Sequence, residues 1–299
     1  MTAIGPRDIL PEERLNAALV WFLALLVVFG GLASWAVIKL GTTYSWTMAL
    51  MWTPALAALL TCKILNINLG MLGWKWGQSR WHVMAYLTPI LYLMLASAAL
   101  LLIGCADFDP AKFLKKSADW MGLSAWSASA TMTLSVTWLM VFAVIAAMSR
   151  TLGEEMGWRG FLTPLLARKF SFPVAALLTG LIWSLWHYPI LIYGNYIGEY
   201  GYGVPTLISV INYTIMTTAL SFPLAYLRLR SGSLWPAVLF HAVHNIVFAT
   251  IMYRVLVPAG VPKLYLSEFG YAIPAVAVLT ALYFWRRAVR EGLHGPLNA

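Results

Sequence analysis

Eight long apolar segments constrain this chain more than any other feature of its sequence. They span roughly residues 16–38, 45–65, 83–104, 128–149, 172–193, 205–227, 233–253 and 269–285. A helix needs about 20 apolar residues to cross a membrane, whereas a barrel strand needs only about 10. Because 61% of the residues are hydrophobic and 10% are charged, the composition is unlike that of a soluble domain. We expect an all-α, polytopic membrane protein in which residues 1–299 form a single integral membrane domain.

Lysine and arginine are unevenly divided between the two sides that eight spans create. Fourteen of the twenty fall at the N-terminus, in the second, fourth and sixth loops or in the C-terminal tail: Arg7, Arg14, Lys63, Lys75, Arg80, Arg150, Arg159, Arg168, Lys169, Arg228, Arg230, Arg286, Arg287 and Arg290. The other six are Lys39, Lys112, Lys115, Lys116, Arg254 and Lys263. Because cytoplasmic loops carry the excess of such residues, we expect both termini in the cytoplasm. The net charge of +9 then reflects topology and contact with membrane lipids, and no nucleic-acid partner is needed to explain it.

An adjacent pair of carboxylates, Glu154 and Glu155, lies in the otherwise apolar stretch GEEMGWRGFL. Ionisable side chains within membrane spans are costly to bury, so they are candidate functional groups. The other polar groups of interest in the spans are His187, His241, His244 and Asn245. His241 and Asn245 are i and i+4 and share one helix face, whereas His244 is rotated away from it. We interpret His244 as a structural or lipid-interfacial residue.

These groups are predicted to lie in one layer within the membrane. Glu154 and His187 are each about 16 residues from a turn near residue 170, which is roughly 24 Å along a helix. His241 and Asn245 lie roughly 16 to 22 Å along the helix that follows the turn at 228–232. A continuous helix over 128–168 would be roughly 60 Å long, so we expect it to bend near Gly153 or to protrude.

Three short motifs occur in order on the later spans. Glu154, Glu155 and Arg159 form EExxxR, Trp183 to His187 form FxxxH with Trp in place of Phe, and His241 with Asn245 forms HxxxN. Over about residues 128–255 this ordered set resembles the CAAX protease and bacteriocin-processing (Abi) family of intramembrane proteases, typified by the Ras-converting CAAX endopeptidase. The resemblance implies that the eight transmembrane helices enclose an intramembrane catalytic cavity, with the motif-bearing core at 128–255.

The resemblance also implies a hydrolase mechanism without a cofactor. In an intramembrane endopeptidase of this kind, acting as a glutamate protease, Glu154 works with His187 to activate a water molecule. His241 and Asn245 form the site that stabilises the oxyanion. The expected substrate is a peptide or a lipidated protein, including CAAX-type prenylated ones. We expect a prokaryotic plasma membrane as the location, in preference to the endoplasmic reticulum.

Other residues are expected to support the catalytic ones. We interpret Glu155 and Arg159 as an ion pair that positions Glu154 rather than as a catalytic couple. The aromatic side chains that flank the motifs are expected to line the cavity: Trp158, Trp183 and Trp186. Trp183 replaces the Phe of the motif, and this change is expected to alter the shape of the pocket wall while leaving the catalytic atoms alone.

The chemistry of the residues agrees with these roles and leaves alternatives open. A carboxylate beside a histidine can act as a general base, and a His with an Asn amide can donate hydrogen bonds to an oxyanion. Glu154, His187 and His241 could instead bind Zn²⁺ with one open position, although no HExxH motif is present. The same groups could form the proton path of a transporter, which predicts paired broken helices in two halves. The protein could also be a non-catalytic scaffold or immunity protein of the same fold.

Overall fold

The computed structural model describes residues 12–194, 205–259, 266–293 and 295–296. Within these ranges, eight helices are long and apolar enough to cross a membrane. They are α1 (Glu12–Leu40), α2 (Tyr44–Ile64), α3 (Ser79–Leu102), α5 (Ala128–Lys169), α6 (Phe172–Tyr193), α7 (Thr206–Ser231), α8 (Trp235–Val255) and α9 (Ala272–Arg290). The predicted all-α, polytopic fold is confirmed. The largest difference from the predicted windows is in α5, whose helix continues about 20 residues beyond the apolar segment.

α5 departs from regular α-helical geometry in two places. Leu139–Ala143 and Met156–Leu162 are π-helical, whereas Val144–Glu155 between them is α-helical and includes Gly153. The second π segment begins three residues after Gly153, and the bend expected near Gly153 stays a prediction. Wider π turns of this kind are often found at functional sites. Here the second segment begins directly after the two glutamates.

Gly153 and Gly157 bring α5 into backbone contact with α2. A Cβ atom on Gly153 would lie 2.7 Å from the Met51 carbonyl oxygen, and one on Gly157 would lie 2.4 Å from Pro54 Cβ. Neither distance is compatible with a side chain. Small residues allow membrane helices to approach closely, and this crossing fixes the height of the glutamate pair against α2.

Short elements join the helices at one end of the bundle. β1 (Ala106–Phe108) pairs antiparallel with β2 (Leu256–Pro258), with Asp107 opposite Val257. The helix α4 (Ala111–Met121) follows β1 and does not span the bundle. β1 follows α3 and β2 follows α8, so this pair of strands links the ends of two membrane helices.

The other end of the bundle, which we term the basic end, is where α2, α5, α7 and α9 finish. Basic residues occupy the last turn of each helix: Lys63, Arg168, Lys169, Arg228, Arg230, Arg287 and Arg290. Glu291 lies among them and accepts hydrogen bonds from Arg287 and Tyr226. Burial raises the pKa of this carboxyl, but these bonds outweigh that effect and hold its pKa below the usual value. Both termini, with Arg7, and the loop residue Lys263 lie outside the described residues, so the orientation stays a prediction.

Candidate active site

Glu154 is held by two tryptophan side chains. Its carboxylate is 1% exposed. Oε2 accepts a hydrogen bond of 2.8 Å from Trp183 Nε1 and a longer one of 3.5 Å from Trp158 Nε1. Both bonds end on the same oxygen, and no side chain among the described residues donates to Oε1. A carboxylate with one oxygen fixed and one free has the geometry that a general base needs.

The expectation that Trp183 leaves the catalytic atoms alone is wrong. Its indole N–H donates directly to Glu154, and a phenyl ring in the same place has no group that could do so. Its ring face carries the Arg159 guanidinium, whose central carbon lies 4.6 Å from the ring centroid. This residue therefore contacts both the carboxylate and the neighbouring ion pair.

Glu155 and Arg159 form the predicted ion pair. Arg159 Nη1 lies 2.9 Å from Glu155 Oε1, and both side chains are fully buried. The other terminal nitrogen of Arg159 donates to Ser221 Oγ at 2.7 Å. Glu155 Oε1 also accepts a bond of 2.9 Å from His241 Nδ1. This carboxylate therefore connects α5 to the histidine of the third motif on α8, which was not predicted.

His187 lies on α6, half-buried and surrounded by aromatic rings. Its ring centroid is 4.6 Å from that of Trp186 and 5.1 Å from that of Tyr213. Nδ1 lies 3.0 Å from the Trp183 carbonyl oxygen. Because a carbonyl only accepts, Nδ1 must carry the hydrogen, which leaves Nε2 to exchange a proton with water. His187 also lies beside Trp183, with the two ring centroids 6.2 Å apart.

His241 and Asn245 lie one turn apart on α8, and His241 is 5% exposed. With Nδ1 committed to Glu155, the free nitrogen of His241 is Nε2. In a neutral ring Nε2 would be an acceptor, so His241 can donate to an oxyanion only as the imidazolium. The Asn245 amide donates in either case. It is half-buried, and no hydrogen bond to its side chain occurs among the described residues.

The structure thus brings six of the predicted residues together: Glu154, Glu155, Arg159, Trp183, His187 and His241. Trp158 and Trp186 are buried and pack edge to face with ring centroids 5.8 Å apart, beside this group. His244 is buried and pairs with the Tyr92 hydroxyl on α3. This setting agrees with the interpretation of His244 as a structural residue and not with a lipid-interfacial one. The roles assigned to these residues remain predictions.

Two polar residues near the site were not singled out from the sequence. Ser221 binds Arg159, and Arg228 donates to the Arg159 backbone carbonyl at 2.9 Å. A hydroxyl in an apolar span was the available signal for Ser221. Arg228 was counted only as a loop charge, because a helix-end arginine has the same sequence pattern whether it faces solvent or is buried.

Glu154, His187 and His241, the candidate zinc ligands, do not form a metal-binding group in the structure. Across the part of the chain that the structure describes, no group of three or more His, Cys, Asp and Glu side chains is placed to hold a metal ion. Glu154 Oε2 and His241 Nδ1 are already engaged by Trp183 and Glu155.

Comparison with known proteins bears directly on the three motifs. A family model described as type II CAAX prenyl endopeptidase Rce1-like matches residues 133–247, the segment that contains all of them. The resemblance to CAAX proteases is confirmed. Among curated proteins, CAAX prenyl protease 2 of Methanococcus maripaludis is 28% identical to this chain over 96 residues. The aligned region is 31% of this chain and 34% of that protein. The match therefore spans about a third of the relative's length.

Replacing Trp183 by the Phe of the FxxxH motif tests the hydrogen bond to Glu154. We expect Trp183→Phe to lower kcat about tenfold, because a hydrogen bond to a charged group is lost while the ring remains. Trp183→Ala, which also removes the ring beneath Arg159, should lower kcat further. Steady-state kinetics in detergent would measure both variants, and a Trp183→Phe protein as fast as wild type would contradict the role of the indole N–H.

Proposed function

We propose that this protein is an intramembrane endopeptidase that hydrolyses a peptide bond with water activated by Glu154 and His187. The observation that carries the proposal is the buried Glu154 carboxylate, anchored through one oxygen by Trp183 inside the segment that matches the Rce1-like family model. Oε1 of Glu154 is left to take a proton from water. His187, with Nε2 available, shares that proton and passes it to the leaving amine.

The second half of the mechanism concerns the charge that develops on the carbonyl oxygen. When hydroxide adds to the peptide carbonyl, a tetrahedral intermediate with an oxyanion forms, and hydrogen-bond donors must face it. The Asn245 amide and, when protonated, His241 Nε2 supply these donors from one face of α8. Glu155 then has a distinct task. It orients the His241 ring, and its single negative charge partly offsets the positive charges of Arg159 and of protonated His241.

The proposed substrate is a peptide or protein with a prenylated C-terminal CAAX sequence. Support comes from the description of the matching family, a prenyl endopeptidase, and from the name of the archaeal relative, a prenyl protease. We further propose that the basic end faces the cytoplasm, because most of the described Lys and Arg residues near helix ends lie there. A substrate that enters from the cytoplasm would then meet that end first.

Cleavage of matched peptides tests this function. The purified protein in detergent is incubated with a farnesylated CAAX peptide, the same peptide without the lipid, and a scrambled farnesylated peptide. We expect wild type to cleave the first substrate, with the products detected by mass spectrometry. Cleavage of the unprenylated peptide at the same rate would contradict a requirement for the prenyl group. If a folded protein cleaves none of the peptides, a non-catalytic role would be favoured.

A further inference from the structure

The second π segment of α5 leaves one buried carbonyl without a donor from its own helix. Thr163 N–H donates to the Trp158 carbonyl, five residues earlier, as π geometry requires. The Arg159 carbonyl would need the N–H of residue 164 in the same register, but that residue is Pro164, which has none. A buried carbonyl without a partner is costly, so a donor must come from outside the helix.

Arg228, near the end of α7, supplies that donor. Its Nε donates to the Arg159 carbonyl at 2.9 Å, and its Nη2 donates to the Met71 carbonyl at 2.7 Å. The side chain is 7% exposed, and none of the acidic side chains that the structure describes forms an ion pair with it. Its head group packs against Gly73, where a Cβ would lie 2.9 Å from the guanidinium carbon. Arg228 is therefore built into the protein interior by backbone contacts.

The residue whose carbonyl Arg228 binds is central to the candidate site. The Arg159 side chain pairs with Glu155, donates to Ser221 and lies over the Trp183 ring. Trp183 in turn donates to Glu154, and Glu155 accepts from His241. A change in the backbone position at Arg159 is thus transmitted to both carboxylates through direct contacts.

We propose that Arg228 is a positioning residue, which maintains the π register of Met156–Leu162 by binding the carbonyl that Pro164 leaves unpaired, and so holds Glu154 and Glu155 in catalytic geometry. The inference rests on the proposed function for its catalytic consequence. The backbone part of it, the pairing of Arg228 with the Arg159 carbonyl, does not depend on any activity.

Substitution by Met tests the proposal, since Met fills a similar volume and donates no hydrogen bond. We expect Arg228→Met to lower kcat about 100-fold, the size of effect that a displacement of about 1 Å produces at a catalytic group. KM should stay within about twofold, because Arg228 does not contact the proposed reacting atoms. Arg230→Met is the matched control: Arg230 lies two residues further along and pairs with Glu291 at the basic end, so kcat should be close to wild type.

A second substitution separates positioning from general destabilisation. Pro164→Ala restores an N–H that can donate to the Arg159 carbonyl from within the helix. The double variant should therefore have a kcat at least tenfold higher than that of Arg228→Met. As a single substitution, Pro164→Ala should have the kcat of wild type, because Arg228 already donates to the Arg159 carbonyl. A protein that is merely less stable would not regain kcat from this change. Full kcat in Arg228→Met, or no recovery in the double variant, would overturn the proposal.

Amide hydrogen exchange in detergent gives a readout without substrate. Peptides that cover residues 156–166 should exchange faster in Arg228→Met than in wild type or Arg230→Met, and Pro164→Ala should restore the slow rate. Unchanged exchange in Arg228→Met would contradict the inference even if the protein is a protease. If exchange changes as expected but wild type cleaves no peptide, the proposed function fails while the pairing of Arg228 stands.

Discussion

Glu154→Gln is expected to reduce peptide cleavage below about 1% of wild type, because loss of a general base typically costs 10² to 10⁴ in rate. The amide has the same shape as the carboxylate, and its oxygen can still accept from Trp183. The fold should therefore be retained while the base is lost. His187→Phe should have a comparable effect, since a phenyl ring keeps the contacts with Trp186 and Tyr213 and removes both nitrogens.

Product release by mass spectrometry, together with thermal unfolding in detergent, would measure both variants. Glu291→Gln is the matched control for loss of an acid, because Glu291 lies at the basic end with Arg230 and Arg287 as partners. It should retain wild-type turnover. A well-folded Glu154→Gln protein that turns over at more than a few per cent of wild type would remove Glu154 from the mechanism.

Asn245→Ala is expected to lower kcat by about 10² to 10³ with little change in KM, the usual cost of losing one oxyanion donor. The substitution is informative because Asn245 donates irrespective of the protonation state of His241. An amide is also a poor ligand for Zn²⁺, so added zinc should not restore the variant. Asn212→Ala is a control for the loss of a buried amide, since Asn212 donates to the Phe269 carbonyl and not to the reacting groups.

Chelation of the wild-type protein distinguishes the metal-free mechanism from a zinc mechanism that uses the same residues. If water is activated by Glu154 and His187 without a metal, wild-type activity should survive exhaustive chelation. Stoichiometric zinc in the purified protein, with activity abolished by chelation and regained with zinc, would reverse that conclusion. Glu154, His187 and His241 would then be assigned as ligands, and the imidazole Nε2 atoms would be the coordinating nitrogens.

The number and approximate positions of the membrane helices could be predicted because the bilayer requires long apolar segments. The motif residues could be placed at one depth for the same reason, since helical rise converts residue number into distance. What could not be predicted is the rotation of each helix. The bond between Glu155 and His241 depends on that rotation, and 86 residues separate the two in the chain.

The π segment was also beyond prediction from local sequence. Its register depends on whether a donor outside the helix can serve the Arg159 carbonyl, and that donor lies 69 residues away on α7. Gly153, near which a bend is expected, lies in the α-helical stretch before this segment, and its missing side chain allows contact with α2. The hydrogen bond from Trp183 to Glu154 was missed because a motif identifies which residue types occur and gives no information on which atoms meet.

The links between α3 and α8 bear on how a substrate could reach the site. The two helices are joined midway by Tyr92 and His244, and at their ends by the pairing of β1 with β2. The strand pair is partly exposed, whereas the contact between Tyr92 and His244 is buried. Parting α3 from α8 would break an entire strand pair as well as a buried polar contact. If the proposed lipidated substrate enters between helices, we therefore expect α3 and α8 to move together and the opening to lie between other helices.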